Sequence, residues 1–233
     1  MSERLIQIIT DSFTKILIPG LTVTIPLTVI AFTFAMIIAV VLAMVQFANI
    51  KILKEFARFY IWIIRGTPLL VQLFMFYYGI PIFLKSWGFE LDFALIDAIY
   101  YALVIFSLNS SAYLAEIMRS ALLAVDKGQK EAAFSVGMTH IQALRRIILP
   151  QAFMITLPNL LNFFIMVVKN TSLASIITVP ELMGLADIES GRSSKFLEVY
   201  LMAALMYWAL CVFLEWVFFR IEERLKKFRK DYA

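Results

Sequence analysis

The sequence predicts an all-α membrane protein with five transmembrane helices, and three observations carry that prediction. Its 233 residues are 62% hydrophobic and 16% charged, whereas a soluble domain is about half apolar and a quarter charged. Several runs reach the roughly 20 mostly apolar residues that a bilayer crossing needs; residues 16–50 include no charge at all. The basic residues are also shared unevenly between the segments that join these runs.

The first span lies within residues 18–46. Ahead of it, Leu5, Ile6, Ile8, Ile9 and Phe13 alternate with polar neighbours, which reads as an interfacial helix over residues 1–15. The second span covers 67–84. In "RGTPLLVQLFMFYYG" Thr67 can cap the helix and Pro68 takes its first position, where a missing N–H costs nothing. The third span covers 93–115, the fourth 150–170 and the fifth 197–219. No internal repeat or low-complexity stretch divides the chain, so residues 1–233 read as one domain.

With the N-terminus outside, the inner segments collect Lys51, Lys54, Arg58 and Arg65, then Arg119, Lys127, Lys130, Arg145 and Arg146. The tail adds Arg220, Arg224, Lys226, Lys227, Arg229 and Lys230. Arg4, Lys15, Lys85, Arg192 and Lys195 fall outside. The positive-inside rule therefore puts the C-terminus in the cytoplasm. A basic tail beside anionic lipid explains the net charge of +4 without nucleic acid.

Composition excludes several chemistries. One histidine, His140, rules out a multi-histidine metal site, and the lone Cys211 forbids an intrachain disulfide. Glu3, Arg4, Asp11 and Lys15 interrupt what would be the apolar region of a cleavable leader. An intramembrane enzyme would need a nucleophile–base pair or metal ligands within the spans, and no such constellation occurs. The chain is thus expected not to be an enzyme. It lacks the G-x-x-x-x-G-K-[ST] loop that cradles ATP phosphates, so energy must come from another polypeptide or from an ion gradient.

Polar residues at membrane depth are costly and face a cavity or another helix. Lys169 and Asn170 follow "FFIMVV"; a straight helix from Pro150 would raise them about 28 Å, towards the outer side, and a tilted or broken one would leave them nearer the midplane. Lys169 can attract a substrate carboxylate, snorkel to the interface or pair with Glu181. Asn159 and Asn162, Asn109, Ser110 and Tyr113, and Gln72 in the second span can line a pathway or bond between helices. Glu116 and Arg119 can pair locally at the end of the third span.

Between the third and fourth spans lies "EAAFSVGMTHIQALRRIILPQ", a polar insert in a greasy chain. Residues 129–136 read as a short helix with Ala132, Ala133 and Val136 on a small apolar face. Gly137 permits a turn, and Thr139 with Gln142 has capping-box spacing for a second helix. Such a segment is either a knob for a partner protein or an amphipathic loop on lipid.

The insert resembles the EAA motif of ABC importer permeases through Glu131-Ala132-Ala133, Gly137, Ile147, Leu149 and Pro150. "RGTPLLVQLFMFYYG", "SAYLAEIMRSALLAVDKGQKEAA", "LPQA" and "KNTSLASIITVPEL" follow one another as in the polar amino acid permeases, with the cystine-type members most alike. The resemblance covers residues 22–215. It implies the type I importer fold, with residues 126–146 as a coupling segment whose Glu131, Ala132, Ala133 and Gly137 dock on an ATP-binding subunit. It also implies two such subunits holding ATP and Mg, a second, identical permease, an external solute-binding protein, and no cofactor in this chain. Many relatives read "KDTSL"; Asn170 removes a carboxylate suited to a cationic cargo, so a cystine-like or glutamine-like substrate is expected. The alternative is an ATP-independent secondary carrier, although the inverted repeats usual in that class are not evident.

Overall fold

A computed structural model of the chain describes residues 2–48, 51–88 and 96–230, with side chains over 13–47, 51–88 and 96–225. Ten α-helices succeed one another among these residues, and no strand occurs. They are α1 (Ser2–Ala48), α2 (Lys51–Gly66), α3 (Leu69–Phe74), α4 (Ile80–Ser86), α5 (Ala98–Ala124), α6 (Lys127–Ser135), α7 (His140–Ala143), α8 (Leu149–Asn170), α9 (Leu182–Ser193) and α10 (Phe196–Lys230). Five stretches are long and apolar enough to cross a membrane: Phe13–Phe47, Leu69–Ser86, Ala98–Ala124, His140–Ile177 and Phe196–Leu225.

The helix that holds the first crossing runs without a break from Ser2, so residues 2–15 form no helix separate from it. Ala31, Ala35, Ala39 and Ala43 recur every four residues and are all buried. Ala31, Ala35 and Ala39 pack with α5, where Ala102, Ala112 and Ala115 are equally buried. Small residues let two backbones approach closely, the usual basis of packing in lipid, where no hydrophobic force drives helices together. The outer surface carries the large apolar residues instead. Ile18, Phe34, Ile37, Leu197 and Leu201 are exposed, as are Trp62, Trp87, Trp208 and Trp216.

Two π-turns join helical pieces into longer ones. Met75–Gly79 links α3 to α4, and Leu144–Ile148 links α7 to α8. Each is followed two residues later by a proline, Pro81 or Pro150. Proline removes a backbone N–H and clashes with the carbonyl four residues back, and the wider π-turn lets the chain absorb that clash without stopping.

The second crossing begins differently from the sequence reading. Pro68, not Thr67, is the N-cap residue of α3. The Thr67 hydroxyl donates to Ile63 O (2.9 Å) and accepts from Gln72 Nε2 (2.7 Å), so it serves the end of α2. The expected start of the third span, residue 93, lies outside the described residues. That helix continues to Ala124 rather than ending near 115, because Arg119 donates to Glu116 through Nε and Nη. Each of these charges has its counterion one turn away, so neither ends the helix.

Candidate functional site

The insert between the third and fourth crossings is fully structured. The Asp126 carboxylate accepts from Gly128 N (2.6 Å) and caps α6. At its other end Met138 N donates to Ala133 O (3.1 Å) and Gly137 N to Phe134 O (3.0 Å). This is a Schellman closure, which needs a left-handed residue; Gly137 supplies it with φ +80°. Both bonds of the expected capping box are present: Gln142 N donates to Thr139 Oγ1 and Thr139 N to Gln142 Oε1.

Glu131, Ala132, Val136, Gly137 and Ile141 are exposed among polar neighbours that include Lys127, Lys130 and Ser135. Ala133 is only 2% exposed. It faces the chain itself and is not on this surface, which corrects its place in the docking set. On the inward side Gln151 Nε2 donates to Gln129 Oε1 (3.2 Å), tying α6 to α8. Ile148 and Ala152 pack with Ala121 and Leu122 at the end of α5. Helix α6 is therefore tied to α8, which packs on the near end of α5.

The polar residues of the spans divide into two groups. Gln72 and Asn109 are both buried and bonded to each other, Asn109 Nδ2 donating to Gln72 Oε1 at 3.0 Å. Gln72 Nε2 also donates to Ile64 O (2.8 Å), closing the frayed end of α2. These two residues hold helices together, the interhelical alternative for both. Ser110 is buried as well, and Ser111 shares a hydrogen bond of 2.8 Å with Tyr60 Oη.

Tyr113 and Asn159 instead line one cavity of about 480 Å³ with Arg65, Glu116, Ser120 and Ile155. The Tyr113 ring stacks on Phe163 at 5.8 Å, which fixes its plane. Asn162 is exposed one turn on and lies outside that lining.

Lys169 is exposed and Asn170 half-buried at the end of α8. Thr171, which follows, lies 3.4 Å from the Tyr207 hydroxyl of α10. Tyr207 is about 16 Å along α10 from Phe196. Although α8 is unbroken, Lys169 and Asn170 therefore lie next to the level of Tyr207 on α10 and not beside its Phe196 end. Lys169 is not matched to Glu181, whose carboxylate accepts from Tyr207 Oη (2.5 Å) and Gly184 N (2.8 Å).

Glu181 was assigned no role of its own in the sequence. It is fully buried and caps α9, which lies against α1 through Leu182 N donating to Thr24 Oγ1 (3.2 Å). The readable signal was the acid three residues before a glycine in "PELMG". At Gly184 a Cβ would stand 2.3 Å from Val179 O.

A family model described as "Binding-protein-dependent transport system inner membrane component" matches residues 35–227. The chain belongs to that family. It is a multi-pass permease component of the inner membrane. This permease is 41% identical over 95% of its length to the L-cystine transport system permease protein TcyB of Bacillus subtilis (strain 168), 92% of which is covered. It is 42% identical over 83% of its length to the probable amino-acid ABC transporter permease protein PatM of Vibrio harveyi, covering 84% of that protein. Among solved structures, an amino acid ABC transporter crystallised with histidines superposes with a TM-score of 0.83 at 37% identity, over 92% of the permease and 96% of that chain. An inward-facing MetNI methionine ABC transporter superposes at 0.72 with 18% identity, over 90% and 95% of the two chains, and shares the fold. The all-α, five-span architecture of ABC importer permeases expected from the sequence is thus the one observed.

Proposed function

We propose that the permease forms the translocation pathway of an ATP-driven importer for a polar amino acid, cystine-like or glutamine-like. Two ATP-binding subunits, holding ATP and Mg, would grip the coupling segments of two identical permease chains. A solute-binding protein would deliver cargo from outside, where the N-terminus lies, while the C-terminal tail stays in the cytoplasm. The observation that carries this reading is the capped helix α6 with the turn at Gly137 that closes it, on which Glu131, Ala132 and Gly137 are exposed.

Closure of the ATPase pair moves α6. Through the Gln129–Gln151 bond and the packing of Ile148 and Ala152, that motion passes to α8 and α5. These two helices carry Asn159, Asn162, Lys169 and Asn170 on one side and Tyr113 on the other, so the pathway between them opens alternately to each face. Residues Gln72 and Asn109 hold the second crossing to α5 during the stroke.

Purification of the tagged chain from its host in gentle detergent tests the reading. An ATPase with a phosphate-binding loop should accompany it in equal amount and be lost on Gly137→Arg. A chain that purifies alone, yet carries amino acids in ATP-free vesicles, would replace the importer with an ATP-independent secondary carrier.

A further inference from the structure

The cavity beside Tyr113 has charged walls to which the pathway reading gives no task. Arg65 ends α2 with its guanidinium over the Tyr113 ring, 5.3 Å from the centroid. Glu116, one turn along α5 from Tyr113, lines the same space. Ionised groups at or near membrane depth are costly and, where they occur, face a cavity or a partner; Arg65, just ahead of the second crossing, and Glu116, within the third, both line this space. The volume, about 480 Å³, falls in the range of about 300–1,000 Å³ typical of small-molecule pockets. Asn159 and Ser120 give it a polar edge, Ile117 and Ile155 an apolar wall.

A planar guanidinium matches a carboxylate, and a carboxylate accepts from an ammonium. A free amino acid carries one of each on a single carbon. We propose that Arg65 and Glu116 form a binding station for the zwitterionic head of an α-amino acid. Arg65 takes its carboxylate and Glu116 its ammonium. The station rests on the importer reading above. Glu116 lies about 12 Å from the Ala124 end of α5, so the station follows Lys169 and Asn170 on the way to the coupling segment.

Arg119 gives the station an empty form. It holds both Glu116 oxygens, and the two residues together line a second cavity of about 600 Å³ with Lys54 and Arg58. Glu116 is thus the wall common to both spaces. An arriving ammonium competes with Arg119 for it, and departure restores the pair.

The test uses the assembled transporter in nanodiscs without its solute-binding protein. Labelled L-cystine, L-glutamine and L-arginine are titrated in turn. Bound label is then competed with the matching amide, which lacks the carboxylate, and with the N-acetyl form, which lacks the ammonium. The wild type should bind at least one amino acid and reject both analogues by about tenfold, the worth of a charged hydrogen bond. Arg65→Gln should erase discrimination against the amide alone, and Glu116→Gln against the N-acetyl form alone. Arg119→Gln should tighten binding several-fold by freeing Glu116. No binding by the wild type, discrimination retained in both variants, or weakened binding in Arg119→Gln would overturn the station. ATP-driven uptake with the solute-binding protein separates this failure from that of the importer. Uptake that persists keeps the importer and removes the site, whereas absent uptake with no co-purified ATPase removes the importer itself.

Discussion

The Tyr207 hydroxyl donates to one Glu181 carboxylate oxygen at 2.5 Å while Gly184 N donates to the other at 2.8 Å. One fully buried acid therefore joins the fifth crossing to the start of α9, and through Thr171 to the end of α8. Glu181→Ala removes a helix cap, leaves Gly184 N without its acceptor and leaves the Tyr207 hydroxyl only the longer contact to Thr171 Oγ1, at about 1–3 kcal/mol for a buried group left unpaired. The melting temperature of the detergent-solubilised protein should fall by several degrees. Glu181→Gln keeps an acceptor for Gly184 N and should fall less. Equal melting temperatures for the wild type and Glu181→Ala would refute this account of the network.

Two glycines of α9 give opposite expectations. At Gly184 a Cβ would meet the Val179 carbonyl oxygen at 2.3 Å, whereas at Gly191 it would meet nothing within 4 Å. Gly184→Ala should therefore force the backbone apart and destabilise. Gly191→Ala should be neutral or stabilise by about 0.4–1 kcal/mol, since alanine loses less freedom on folding. Parallel thermal melts of the two variants decide it.

The Gln72–Asn109 pair is asymmetric. Gln72 also serves Ile64 O and Thr67, so Gln72→Leu breaks the end of α2 as well as the bridge to α5. Asn109→Leu breaks the bridge alone. The first should cost more stability than the second, and the double variant should cost less than the two singles summed. A double-mutant cycle of thermal stability measures the difference.

Thr178 ends the 3₁₀ turn Thr171–Ile177 in the left-handed region, with φ 68°. A β-branched residue is rarely found there, and the strain amounts to about 1–2 kcal/mol. Thr178→Gly should relieve part of it and raise the melting temperature, offset by the greater freedom of glycine in the unfolded chain. A clear fall would mean that the hydroxyl makes a contact that outweighs the strain.

Much of the architecture was legible because lipid imposes simple rules. Apolar length gave five crossings, and the Thr139–Gln142 spacing and Gly137 gave the two-helix insert. Hydropathy failed where charges neutralise each other locally. The Glu116–Arg119 pair made the third span look shorter than α5 is. Thr67 looked like a cap because the sequence does not show that Gln72 folds back onto it. Tyr113 and Asn159 line one cavity, and with them stands Arg65, which in the sequence is only a basic residue of a connecting segment. Its place over Tyr113 depends on how α2 crosses α5, a long-range contact that no local pattern encodes. Ala133 fell on the inner face because a nine-residue helix with one small stripe can turn that stripe either way until its neighbours are known.

The alanine ladder of α1 has a mechanical corollary. Where side chains are reduced to single methyl groups, two helices meet almost backbone to backbone, and neither can roll or slide without collision. The seam between α1 and α5 is therefore the stiff member of the molecule. Compliance is left to seams filled by larger and rotatable groups, such as Leu160 and Phe163 between α5 and α8. Of the two seams, the alanine one leaves less room for relative movement of its helices.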